Sequence, residues 1–280
     1  METPMSTVPL IALLTDFGAA DGYPGIMKGV ILGIAPGTPL IDLTHEIPPQ
    51  EVRSAAWVLH TAWRYFPEGS VFLCVVDPGV GSARLPIALQ TGGHSFVGPD
   101  NGLFSYVLAE TEQGETRAVS LDNPRYFSSE RSATFHGRDI FAPAAGLLAA
   151  GTPIEELGHA LAPEALVRLA LPHPDWQQGT LLAHVTHIDH FGNILTDVEA
   201  RWVREVFAAP TVTLTLAGQT ITARARTFAE GPEDALFLYQ DSSGYLAIAR
   251  RNGDAAATLA LSKADILALT LTISGLQVPG

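Results

Sequence analysis

The chain of 280 residues carries 29 acidic against 16 basic side chains, a net charge of −13. That balance argues against nucleic acid or an anionic membrane as a partner. The length is enough for two domains, each with its own core. A single cysteine, Cys74, lies inside an apolar run at 70–76, which excludes an intrachain disulfide and fits a reducing cytoplasm. The first apolar stretch, Leu10 to Leu14, is cut short by Asp16, so neither a signal peptide nor a membrane span is predicted.

In chain order, residues 10–15 read as a buried strand, 24–34 as a helix, 40–43 as a strand, 51–65 as a helix and 71–76 as a third strand. Helices of that length between strands imply parallel pairing with right-handed crossovers. Residues 87–90 and 94–97 flank Gly92-Gly93 as a hairpin, and 138–150 forms a further helix closed by Gly151. The expectation is an α/β domain over 1–172 with a mainly parallel sheet flanked by helices.

Prolines at 172 and 174 mark a linker. Beyond it, 211–216 and 220–226 alternate apolar and polar residues around Ala217-Gly218-Gln219, the period of antiparallel strands with one solvated face. A smaller, β-rich domain is expected over 176–280.

Candidate chemistry gathers where strands finish. Asp16, His45 and Asp77 each follow a strand, and ligands of open α/β sheets sit at carboxyl ends. The cassette running from Val76 to Arg84 is answered by Thr134-Phe135-His136-Gly137-Arg138. A carboxylate, a guanidinium and an imidazole converging from Asp77, Arg84 and His136 can activate water. Taken singly, Asp16 and Asp77 are also good turn formers, Arg84 a surface residue and His136 a loop histidine. Asp16 could grip a ribose diol, two acceptor oxygens matching two hydroxyls.

Three rival readings use the same residues. Asp16, Asp21, His45, Asp77 and His136 can all bind metal, but no His-x-x-x-His or Cys-x-x-Cys spacing occurs, so no metal is expected. A nucleoside sensor without turnover would use Asp16 but would have no need of the Asp77, Arg84 and His136 set. A nucleotide-phosphate enzyme lacks support, because Gly79-Val80-Gly81-Ser82 is not followed by the lysine of a P-loop.

Six segments in order, 14–18, 41–45, 76–81, 98–102, 134–139 and 188–193, resemble the S-adenosylmethionine (SAM) hydroxide adenosyltransferase family, whose relatives include the fluorinase and chlorinase. The resemblance implies hydrolysis of SAM to adenosine and methionine by attack on the ribose 5′ carbon, with SAM as substrate and no cofactor. It implies a β-barrel-like C-terminal domain and a homotrimer with the nucleoside at subunit interfaces. It assigns Asp77, Arg84 and His136 to water, with His136 as base or orienter, and Asp16 to the ribose diol beside a loop of Asp21, Gly22 and Tyr23. Asp189 and Asn193 would hold the methionine ammonium and the adenine edge, Ser242 the methionine carboxylate, and the backbone near Arg250, Arg251 and Asn252 the adenine. Phe228 would stack on adenine or serve as a core aromatic. Ser243 stands where the fluorinase pattern has arginine, Gln50 where it has tryptophan, and Asp77 where it has tyrosine; the negative charge of Asp77 opposes halide and points to the water-using branch.

Overall fold

A computed structural model describes residues 9–111, 115–127, 132–262 and 270–276. The chain divides into two compact units between Leu169 and Ala170.

The first unit alternates strand and helix: β1 (Ile11–Thr15), α1 (Tyr23–Ile34), β2 (Leu40–Thr44), α2 (Val52–Ala62), β3 (Val71–Val75), β4 (Pro86–Thr91), β5 (His94–Pro99), α3 (Ser105–Glu110), β6 (Arg117–Ser120), α4 (Ala142–Ala149) and β7 (Ala160–Leu161). Its seven strands lie in the order β2-β1-β3-β5-β4-β6-β7. Strand β1 shows why the run at 11–14 is continuously apolar. Ile11 and Leu13 enter the core packed with Met27 and Ile31 of α1 and Ala144 and Ala145 of α4, while Ala12 and Leu14 enter the one with Ala55 and Leu59 of α2 and Val107 and Leu108 of α3. A strand covered on both faces has no polar alternation to display.

The sheet is mixed rather than mainly parallel. β2, β1, β3 and β5 are joined in parallel, but β5-β4, β4-β6 and β6-β7 are antiparallel. The two-residue turn Gly92-Gly93, with φ of 57° and 78°, folds β4 back on β5 as a hairpin and ends the crossover pattern. Gly98 lets β5 approach β3, since a Cβ there would lie 2.3 Å from the Cys74 carbonyl oxygen. Two expected helices are also shorter than their patterns. The stretch at 51–65 ends its α-helix at Ala62 and continues as a 3₁₀ turn over Trp63–Tyr65. The one at 138–150 opens with a π turn over Gly137–Phe141, closed by the Ala142 N–H to the Gly137 carbonyl. Pro143, which has no N–H to give to the carbonyl four residues back, accounts for that wider turn.

The second unit holds β8 (Asp175–Gln177), β9 (Thr180–Ile188), β10 (Ile194–Thr196), α5 (Ala200–Ala208), β11 (Thr213–Leu216), β12 (Gln219–Ile221), β13 (Leu236–Gln240), β14 (Leu246–Arg250), α6 (Ala255–Thr258) and β15 (Thr270–Ser274). The strands form an antiparallel sheet in the order β12-β11-β15-β9-β10-β14-β13, with β8 beside β9. The chain just after β12 reaches the far edge. The Leu238 N–H donates to the Ala223 carbonyl at 2.8 Å and the Ala225 N–H donates to the Leu238 carbonyl at 3.0 Å, so the sheet curls into a nearly closed barrel. Among the described residues no helix is long and apolar enough to cross a membrane.

Candidate active site

Three parallel strands of the first unit end in polar residues. Asp16 follows β1, His45 follows β2 and Asp77 follows β3 by way of Val76. After Asp77 the chain turns twice, with Val80 N–H to the Asp77 carbonyl at 3.2 Å and Ser82 N–H to the Gly79 carbonyl at 3.0 Å. Gly81 sits at φ 76° with its Cα side 2.8 Å from the Ala133 carbonyl oxygen where a Cβ would stand, so the turn closes only with glycine. Asn101 pins the preceding strand end by donating to the Val76 carbonyl at 2.8 Å.

That double turn brings Arg84 back onto Asp77. Arg84 Nε donates to both carboxylate oxygens at 2.9 and 3.0 Å, and Nη2 bonds Oδ2 as well. The two side chains are 9% and 6% exposed, which makes this a buried pair rather than a surface one. The Arg84 guanidinium also lies 5.2 Å above the Phe141 ring. Its Nη2 is 2.7 Å from His136 Nδ1. A guanidinium only donates, so Nδ1 accepts and the neutral ring carries its proton on Nε2. His136 directly precedes the helical segment that runs through α4. The structure thus brings Asp77, Arg84 and His136 into one hydrogen-bonded chain. Asp16, Gln50, Asp77, Phe135 and His136 line a cleft of about 340 Å³.

Asp16 Oδ2 accepts the Gln50 N–H at 2.8 Å, and Gln50 takes φ 67° to offer it. Asp21 and Gly22 lie on the exposed turn before α1 and do not line the cleft. Tyr23 joins Phe17 and Phe135 in an edge-to-face cluster with centroids 5.2 to 6.1 Å apart.

The second unit has its own pocket of about 630 Å³, lined by Phe191, Asn193, Phe228, Arg250, Arg251 and Asn252 among others. Phe228 is both exposed by half and packed on the core, its ring tilted against Tyr239 at a centroid distance of 5.0 Å and edge-to-face with Phe237 at 6.3 Å. Asp189 buckles the turn between β9 and β10. Its Oδ1 accepts the Phe191 and Asn193 N–H groups at 2.8 Å each, and its Oδ2 accepts Asn193 Nδ2 at 2.7 Å. Gly192 completes that turn, because a Cβ there would meet the Asp254 carboxylate at 2.1 Å. Ser242 and Ser243 are not in this pocket. They sit on the turn from β13 to β14, at the opposite end of that hairpin from Arg250. Asp241 opens that turn; burial holds its carboxyl above the usual range, against three backbone hydrogen bonds and with the Asp189 charge adding to the rise.

Phe191, 73% exposed at the pocket rim, and Phe17 and Phe135 of the cleft were not singled out by the sequence. Phe191 stands inside the Asp189 to Asn193 motif, but nothing in an aromatic letter says that the ring faces solvent. Among the described residues no three or more His, Cys, Asp or Glu side chains are grouped to hold a metal ion.

A three-layer α/β unit with a polar strand-end cleft, followed by an antiparallel barrel with an aromatic and arginine-lined pocket, defines a two-unit protein built for a small polar ligand. The chain belongs to the SAM hydroxide adenosyltransferase family: residues 11–158 match its N-terminal domain and 183–268 its C-terminal domain. It is 40% identical over 266 residues to the (R)-S-adenosyl-L-methionine hydrolase of Salinispora arenicola, covering 95% of this chain and 99% of that one. A Thermus thermophilus protein of the same name is 40% identical over 90% of this chain and 96% of its own. The fluorinase of an Actinoplanes species is 30% identical over 97% of this chain and 99% of its own. An uncharacterized conserved protein from Thermotoga maritima superposes with a TM-score of 0.86 at 33% identity, over 95% of this chain and all of that one.

Proposed function

We propose that this protein hydrolyses SAM to adenosine and L-methionine by in-line attack of a water-derived oxygen on the ribose 5′ carbon. The observation that carries the mechanism is the hydrogen bond from Arg84 to His136 Nδ1. The new O–C5′ bond forms as the C5′–S bond breaks, its electron pair leaving on sulfur as a neutral thioether, so no general acid is needed. The demand falls on the nucleophile.

With Nδ1 engaged by a donor, His136 orients rather than deprotonates. Its Nε2–H donates to the attacking oxygen and favours hydroxide character there, while the displaced proton passes to solvent. Asp77 keeps Arg84 in place with a bidentate grip and balances its charge. A negative carboxylate at this position also opposes halide, which sets the chain apart from halogenating relatives.

Asp16 takes the ribose diol with the Asp21, Gly22 and Tyr23 loop alongside, and the pocket formed by Asn193, Phe228 and the 250–252 backbone takes adenine. Asp189 and Ser242 meet the methionine end. The working assembly is a cytoplasmic homotrimer with the substrate at subunit interfaces and no cofactor. The hydrolases named above are specified for the (R) sulfonium, and the same epimer is the substrate proposed here. The test incubates the enzyme with SAM of mixed sulfonium configuration and separates the products. Equimolar adenosine and methionine, with (R)-SAM consumed first, support the proposal; nucleoside binding without product makes the protein a sensor and overturns it.

A further inference from the structure

His45 is not among the residues lining the cleft, yet it is 9% exposed, polar and joined to Thr15, which is fully buried. Thr15 Oγ1 and His45 Nδ1 are 2.8 Å apart. Thr15 Oγ1 in turn accepts the Phe17 N–H at 3.2 Å. On its other side His45 Nε2 lies 3.0 Å from Asp42 Oδ1, and Asp42 Oδ2 accepts from Lys28 Nζ at 2.6 Å. A carboxylate beside Nε2 fixes the proton there, so Nδ1 accepts from the threonine hydroxyl. The donors then run from the Phe17 N–H to the Thr15 hydroxyl and from that hydroxyl to the His45 ring, whose Nε2 faces the Lys28-bound Asp42 carboxylate as a close electrostatic contact rather than an aligned hydrogen bond.

His45 holds the turn at a second point. Its carbonyl accepts the Gly18 N–H at 2.8 Å, and Gly18 takes φ 68° to reach it. Residue 45 therefore clamps both ends of Thr15-Asp16-Phe17-Gly18, the turn that carries Asp16. Gln50 steadies the Asp16 carboxylate itself. The geometry points to His45 and Thr15 as positioning residues that aim the Asp16 carboxylate, a buried relay anchored on Asp42 and Lys28. This rests on the reading of Asp16 as the ribose-diol ligand.

A positioning role differs from a scaffold role in what it costs. Two carboxylate oxygens match two hydroxyls only in one orientation, so a tilted Asp16 loses preference for the diol while the rest of the nucleoside binds as before. The readout is the ratio of affinities for adenosine and 2′,3′-dideoxyadenosine, measured calorimetrically on the full chain. The wild-type protein should favour adenosine by at least about 100-fold.

T15V keeps the side-chain shape but removes the hydroxyl. It is expected to lower the ratio about tenfold, with dideoxyadenosine affinity within about twofold of wild type, and T15S should restore the ratio. D42A, on the exposed edge strand, is expected to lower it about threefold and serves if T15V does not fold. Loss of both ligands' affinity in equal measure, or full retention of the ratio in T15V and D42A while D16N abolishes it, overturns the relay. A ratio unchanged in D16N overturns the Asp16 reading itself, and the relay with it.

Discussion

The cleft of the first unit and the pocket of the second solve different problems with different materials. The cleft holds its chemistry in a buried ion pair, Asp77 with Arg84, extended to one imidazole whose tautomer is fixed. The pocket presents half-exposed or exposed aromatics, Phe228 and Phe191, beside Arg250, Arg251 and Asn252, the last in the left-handed region at φ 52°. Buried charges are expensive to misplace, because removing one partner strands the other. Exposed rings are tolerant, since stacking is worth about 0.5–1.5 kcal/mol and asks little of orientation. Under the proposed mechanism, reaction geometry is set where the chain is most constrained, and recognition where it is least.

This contrast is sharpened most by variants of the cleft. D77N keeps the size of the side chain but loses the charge that holds Arg84; kcat is expected to fall by about 10³ or more with little change in KM, read by steady-state kinetics. R84M strands the Asp77 carboxylate and should in addition cost about 3–5 kcal/mol of stability in denaturant unfolding.

The acid limb of the pH–rate profile comes next. A protonated His136 would turn an Nδ1–H toward the Arg84 guanidinium and lose its acceptor role, so the rate is expected to fall once acidification protonates the ring. H136A should lower kcat by about 10² and flatten that limb. A wild-type rate unchanged from pH 8 to 5 would break the assignment.

Changes in the pocket are expected to be milder. F228A should raise KM about tenfold and leave kcat within about twofold, the signature of lost uniform binding. A large kcat effect there would erase the division of labour between cleft and pocket.

The smallest effect concerns a carboxylate outside both sites. Burial pushes the Asp42 carboxyl up, but the side-chain contacts of Lys28 and His45 and their charges outweigh it and leave its pKa lowered. A lowered carboxylate contributes stability above its unfolded value near 4 and loses it as pH falls through the lowered folded value. D42N is expected to flatten the acid side of a thermal unfolding series slightly, by an amount limited by the exposure of the side chain.

The parallel half of the sheet was legible because β1 and β3 are continuous apolar runs separated by helical patterns. β6 and β7 were not, being four and two residues long and carried by pairing, β6 with β4 and β7 with β6, rather than by their own composition. Asp77 and Arg84 could be read as neighbours across one glycine-rich turn. That His136, 52 residues after Arg84, bonds the guanidinium through Nδ1 is a property of three-dimensional packing. The motif around Asp189 is plain in sequence, but its carboxylate turns out to be the buckle of its own turn. The separation of Ser242 from Arg250 follows from hairpin register, which letters alone leave open.

Isotope incorporation from labelled water tests the central claim most directly. Turnover of SAM in H₂¹⁸O should place a single ¹⁸O in the 5′-hydroxyl of adenosine and none in methionine, as attack at C5′ requires. Label in the amino-acid product, or methylthioadenosine in place of adenosine, would contradict the account.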